Sequence, residues 1–169
     1  MPILGIKQPD ILEIDNTLRL RKYDAECSFA LNWYQDEELV YLVDGRREPY
    51  TMERLKRMYT YLDGHGELYW IEICDGNRYI PIGDVTFWQE DMPIAIGDKS
   101  FHGKHIGRKV IDALAKRAAL LGYDTIYVRE IYDFNTASRK CFESAGFEPY
   151  EKTEKGNRYR LSVKKSSET

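Results

Sequence analysis

Gly97-Asp98-Lys99-Ser100-Phe101-His102-Gly103-Lys104-His105-Ile106-Gly107-Arg108-Lys109 is the stretch on which the reading of this chain turns. It leaves a short apolar alternation (Met92, Ile94, Ile96), crosses a loop with glycines at 103 and 107, and enters a long amphipathic segment. A helix that starts there aims its first backbone N–H groups at open space. Those unpaired donors, with about half a positive charge from the helix dipole, make a ready anion site. Lys104, His105, Arg108 and Lys109 add cations around it. The expected occupant is a pyrophosphate. Neither G-x-G-x-x-G nor G-x-x-x-x-G-K-[ST] is present, which argues against dinucleotide and P-loop sites.

Downstream, Ile106, Val110, Ile111, Leu114, Ala118 and Leu121 share one helix face, and Gly122 stops the helix. A strand over Thr125–Ile131 follows, then a second helix from about Asn135 to Ser144 that ends at Ala145-Gly146-Phe147. Upstream, the chain reads as a loosely docked or disordered start to Asn16, a strand at Leu18-Arg19-Leu20-Arg21, and a helix over Asp24–Tyr34. A further helical pair runs through Arg57–Tyr61. Three antiparallel strands come next, Leu68–Cys74, Tyr79–Trp88 and Met92–Gly97, the first two joined by a hairpin at Asp75-Gly76-Asn77. Two closing strands, Glu148–Thr153 and Arg158–Val163, flank a turn at Lys155-Gly156-Asn157, and a polar tail ends the chain.

A chain of 169 residues is one domain of ordinary size. No apolar run is long enough to span a bilayer, and the Met-Pro-Ile-Leu start lacks a signal-peptide core. Cys27, Cys74 and Cys141 are odd in number and widely spaced, as expected for reduced thiols in the cytoplasm. Zinc-ligand clusters are absent, so no metal is expected. Net charge is −3, with the basic residues gathered at one loop rather than along a stripe, which argues against nucleic-acid binding.

The order and spacing resemble the GCN5-related N-acetyltransferase superfamily, whose cofactor loop reads [Arg/Gln]-x-x-Gly-x-[Gly/Ala]; His102, His105 and Gly107 stand at those positions. Its later motif, Asn-x-x-[Ala/Ser]-x-x-x-Tyr-x-x-x-Gly-Phe, is matched by Asn135, Ser138, Phe142, Gly146 and Phe147. Leu18–Arg21, then Ala30-Leu31-Asn32-Trp33 with Asp36, and Gly97-Asp98 before the loop, are similar to the branch of aminoglycoside 6′-N-acetyltransferases and ribosomal-protein alanine acetyltransferases. The resemblance covers Thr17–Val163. It implies a mixed α/β (α+β) fold in a single domain, 17–163, between an extension over 1–16 and a tail over 164–169. The central sheet would be twisted and mostly antiparallel, with two splayed parallel strands and flanking helices.

The resemblance further implies acetyl-CoA as cosubstrate. Main-chain groups of Ala95, Ile96 and Gly97 would pair with the pantetheine arm. His102, Gly103, Lys104, His105, Ile106, Gly107 and Arg108 would wrap the pyrophosphate, and Asn135, Ser138 and Phe142 would line the cofactor. A Cβ at Gly107 would hold the phosphate off the helix. His105 departs from the family glycine, yet histidine tolerates a left-handed backbone better than most residues. A carboxylate base is needed because an alkylamine, with a pKa of ~10, is mostly protonated at neutral pH. Glu130 is the first candidate, five residues before Asn135. Asp91 is the second, although the matching aspartate position is Pro93, and Glu90 is a lesser one. A main-chain N–H near Ile94–Ile96 would hold the oxyanion.

Phe142 replaces a tyrosine that would protonate the leaving thiolate, and Cys141 beside it sits about 100° around the helix. Either Tyr132 or Tyr150 reaches in, or the thiolate leaves unassisted. Trp33 and Trp88 are candidate substrate walls, and Asp84 reads as a turn or edge carboxylate. The expected reaction is transfer of an acetyl group to a primary amine, of a cationic small molecule or of a peptide, with a homodimer allowed for. The alternatives are a protein N-terminal acetyltransferase and a weakly active acyl-CoA-binding module.

Overall fold

The structure, a computed structural model, describes residues 2–164. The polar tail beyond Lys164 lies outside the described residues. The chain forms two compact units. The first runs to Phe87 and takes in Pro93–Lys104; the second is Trp88–Met92 together with the chain from His105 onward.

In the first unit, strands β1 (Ile11–Glu13) and β2 (Leu18–Lys22) precede a 3-10 turn at Ser28–Ala30. Helices α1 (Leu31–Tyr34), α2 (Glu37–Asp44) and α3 (Met52–His65) follow, then strands β3 (Glu67–Asp75), β4 (Arg78–Phe87) and β5 (Ile94–Ile96). The five strands form one antiparallel sheet in the order β1-β2-β3-β4-β5. Period two decides the faces of β2: Leu18 and Leu20 are buried, and Arg19 and Arg21 turn to the other side, where each Nε donates to a different oxygen of Glu72 at 2.9 Å. Asp36 and Thr51 cap α2 and α3 by accepting the N–H groups of Glu38 and Arg54.

Two expectations change here. The start of the chain is held rather than loose: Ile11–Glu13 pairs with β2, and the buried Gln8 amide donates to the Leu68 carbonyl at 2.9 Å. The helix expected from Asp24 does not form until Ser28. Asp24 instead accepts from Arg21, from the N–H of Glu26 and from the indole of Trp70, while Ala25 takes a left-handed φ of 68°. Such side-chain bonds compete with helical ones.

The second unit holds α4 (Ile106–Leu120), β6 (Thr125–Tyr132), α5 (Thr136–Ser144), β7 (Glu148–Lys152) and β8 (Gly156–Ser162), plus a tight turn at Trp88–Asp91. Its sheet runs β6-β8-β7, also antiparallel. The apolar face of α4 is buried at Ile106, Val110, Ile111, Leu114 and Ala118, the larger of these worth roughly 1.5–3 kcal/mol each. Gly156 lies in a strand rather than in the expected turn. It pairs with Tyr132 so closely that a Cβ would sit 1.9 Å from the Ile131 carbonyl oxygen, and only glycine fits.

The fold is mixed α+β, as expected, but no ladder among the described residues is parallel. β5 pairs only with β4 and β6 only with β8. β5 is three residues long because the Ile82 carbonyl takes the N–H groups of both Gly97 and Asp98, turning the chain out of the sheet. Among the described residues no helix is long and apolar enough to cross a membrane.

Candidate active site

In the first unit, Ala95 stands opposite Asp84, while Gly97 donates to Ile82 and Pro93 accepts from Thr86. Residues 93, 95 and 97 therefore spend their main-chain groups on β4. By alternation, Ile94 and Ile96 present theirs on the outer edge. Of the three residues expected to pair with an extended arm, only Ile96 faces outward. The Ile96 carbonyl lies 2.7 Å from His102 Nε2. A carbonyl can only accept, so Nε2 carries the proton and His102 ties the loop back to its strand. Gly97 is required by a neighbour: a Cβ there would sit 2.2 Å from Trp33 Cγ. Gly103 takes φ +75°, and the exposed Lys104 ammonium lies 5.4 Å from the Phe101 ring centroid. Lys99 is drawn away from the loop, 2.6 Å from Asp36.

The start of α4 belongs to the second unit. His105 is its N-cap residue, with φ +61° and ψ +19°, and its side chain makes no capping bond. The left-handed turn that the family glycine would make is therefore made by histidine. No acid occupies the first turn, so the leading N–H groups of Ile106, Gly107 and Arg108 suit an anion. Arg108 turns along the helix, its Nε bonded to both Asp112 oxygens at 3.1 and 2.9 Å. Gly107 serves a purpose beyond the one expected. An added Cβ would meet Cys141 Sγ at 3.0 Å, so the glycine also lets α4 approach α5. Burial pushes the Cys141 thiol up; Arg108 pulls it down and Asp112 pushes it up.

Asn135 caps α5 by accepting the Ser138 N–H at 3.1 Å. Phe142 is 2 % exposed, with its ring edge-on to Phe147 at 5.2 Å. Tyr132 stacks on Phe134, and Tyr150 lies against Tyr127 and beneath Arg160.

The candidate bases sit differently. β6 bulges at Arg129 and Glu130, which together face only Arg158 of β8, and a bulge re-aims the side chains it carries. Glu130 is exposed there and accepts from the Thr153 hydroxyl. Asp91 Oδ1 accepts two main-chain N–H groups, from Met92 at 2.9 Å and Arg129 at 3.1 Å. Burial pushes the Asp91 carboxyl up, and those bonds and the Arg129 charge draw it down. Arg129 also lies 5.5 Å from the Trp88 ring centroid.

The sequence reading misplaced Asp84. It is neither in a turn nor at an edge but in mid-strand on β4, 3 % exposed, with the hydroxyls of Tyr34 and Tyr59 both donating to Oδ2 at 2.8 Å. Burial pushes its carboxyl up to about 6, against the two phenol bonds. A carboxylate inside the apolar run Ile82-Gly83-Asp84-Val85 was the signal that could have found it.

Residues 17–148 match the acetyltransferase (GNAT) domain family. No curated protein matches the sequence. Among solved structures, a domain from Methanocaldococcus jannaschii is 22 % identical with a TM-score of 0.75, covering 87 % of this chain and 99 % of its own. Spermidine N-acetyltransferase from Vibrio cholerae, in complex with CoA and spermine, is 17 % identical at TM-score 0.68, covering 88 % and 97 %. The aminoglycoside acetyltransferase AAC(6′)-Ib, in complex with paromomycin and acetyl-CoA, is 16 % identical at 0.68, covering 87 % and 94 %. At these identities the likeness is one of fold.

Proposed function

The chain belongs to the GNAT acetyltransferase family, which uses acetyl-CoA, and on that premise we propose that it acetylates a primary amine of a cationic small molecule, polyamine- or aminoglycoside-like. The observation that carries the cosubstrate half is the start of α4: a left-handed His105, uncapped leading N–H groups and no acid in the first turn. The pyrophosphate binds there. The outer main-chain groups of Ile94 and Ile96 on β5 suit the pantetheine arm as an added half-strand. An N–H of that same edge is the oxyanion donor.

For the chemistry, the amine must first be neutral. With a pKa of ~10 only about one molecule in a thousand is so at pH 7. Glu130 takes this proton, held at its bulge by Thr153; Asp91, with Oδ1 already accepting two N–H groups, is the second candidate. The nitrogen then attacks the thioester carbonyl, the C–S bond breaks, and the thiolate leaves without a protein acid, Phe142 having no proton to give. Support for a cationic acceptor comes from similarly folded enzymes solved with spermine and with paromomycin.

The test is release of free CoA thiol from acetyl-CoA across a panel of polyamines, aminoglycosides and peptides with free N-termini. Release is expected only with amine present, fastest with a polycation. Faster turnover of neutral peptides than of every polycation would replace this acceptor with a protein N-terminus, and amine-independent binding alone would make the chain an acyl-CoA-binding module.

A further inference from the structure

Asp84 is a buried carboxylate that the acetyl-transfer reading leaves without a task. It lies on β4 with Trp70 across from it on β3 and Ala95 across from it on β5. Tyr34 of α1 and Tyr59 of α3 both donate to one oxygen, Oδ2. Both of its hydrogen bonds among the described residues go to Oδ2, and none of them reaches Oδ1. Two residues along the same face, the wholly buried Thr86 hydroxyl also lacks a partner among the described residues. Buried polar groups are normally satisfied, and an exception calls for an explanation. Beside Asp84 the same face of β5 carries only a methyl at Ala95 and no side chain at Gly97, where the Trp33 ring closes in.

The reaction supplies a use for the open oxygen. An alkylammonium nitrogen gives up two protons on becoming an amide, one before it attacks the thioester and one from the tetrahedral adduct. A carboxylate that has taken the first cannot take the second until it releases it. We infer that Asp84 Oδ1 accepts the second proton, directly or through one water, while Tyr34 and Tyr59 hold Oδ2. The N–H bond breaks toward the carboxylate, the C–S bond breaks toward sulfur, and the thiolate ends as thiol with a proton from solvent. Asp84 suits this because burial lifts its carboxyl to about 6, making it more basic than an ordinary aspartate yet mostly charged at pH 7. The groups that face it are the phenols of Tyr34 and Tyr59, with Tyr50 near enough to feel its charge; among the described residues no basic side chain acts on it.

This inference rests on the acetyl-transfer reading, and its test separates the two. Asp84→Asn keeps an oxygen for both phenols, so its thermal melt should show a folded protein. Its kcat is expected to fall about 100-fold with KM for acetyl-CoA unchanged, and the acidic limb of the kcat profile near pH 6 should vanish. Tyr34→Phe, which removes one donor to the charged form, should move that limb to higher pH. If wild-type protein releases no thiol with any amine, the acetyl-transfer reading falls and takes the inference with it. If wild type turns over and Asp84→Asn matches it in rate and limb, the Asp84 assignment alone is wrong. Should Asp84→Asn not fold, an unmoved limb in Tyr34→Phe overturns it.

Discussion

At the scale of single residues, Asp84 makes folding stability depend on pH in an unusual direction. Its folded carboxyl is raised to about 6, above the ordinary aspartate range, so between those values the folded protein holds a proton that the unfolded chain has lost. That contribution is fully present below about pH 4 and is lost as pH rises through about 6. Against Asp84→Asn, wild type should therefore lose ground by roughly 2–3 kcal/mol between pH 4 and 7, read by urea melts at each pH. A flat difference would mean the carboxylate is stabilised by something other than two phenols. Gly107 shows the limit of arguing one residue from one motif. The spacing identified it as a phosphate contact, but its clearance from Cys141 is a three-dimensional fact that no local pattern carries.

Among the elements, periodicity located strands and helices well where one face is buried, as in β2, α4 and α5. It failed where side chains outbid the backbone, at Asp24, or where a glycine that looked like a turn was forced by a close approach, at Gly156. The outer edge of β5 was legible only as a strand: which of Ala95, Ile96 and Gly97 point outward depends on register, and register depends on β4. The α4 start is the element most open to test. His105 at φ +61° can be replaced by glycine without strain, whereas a β-branched residue there costs about 1–2 kcal/mol. His105→Gly should keep the upward thermal shift that acetyl-CoA confers on a folded binder, and His105→Val should lower both the melting temperature and the shift. Equal shifts in the two variants would move the pyrophosphate away from this helix.

For the whole molecule, acidic residues recur along the sequence at Asp36-Glu37-Glu38, Asp63, Glu67, Glu90-Asp91 and Glu130 and would attract a cationic acceptor, but not all of them are free to do so. Glu67 is fully buried with the Tyr69 hydroxyl on it, Asp36 and Glu38 share Lys99, and Asp91 is turned to main-chain N–H groups. Glu37, Glu38, Asp63, Glu90 and Glu130 are the exposed carboxylates of that set, Glu38 lying 3.8 Å from Lys99. Steering by so few charges should still lower kcat/KM for a polycation as salt rises, because screening shortens to about 3 Å at 1 M, but the slope should be shallow. A rate indifferent to salt would leave the acceptor's recognition to contacts alone.

The five residues Trp88–Met92 belong to the second unit although the chain returns to the first before that unit is made. Tyr127 donates its N–H to Gln89, Gln89 in turn reaches the Thr125 carbonyl, and Arg129 donates to Asp91. During synthesis this short piece emerges more than thirty residues ahead of the strand it borders, so the second unit cannot be completed in the order it is made. A cut between Lys104 and His105 would likewise not yield two self-sufficient halves. The piece from His105 onward would carry an unclosed edge on β6, open to pairing with another copy of itself.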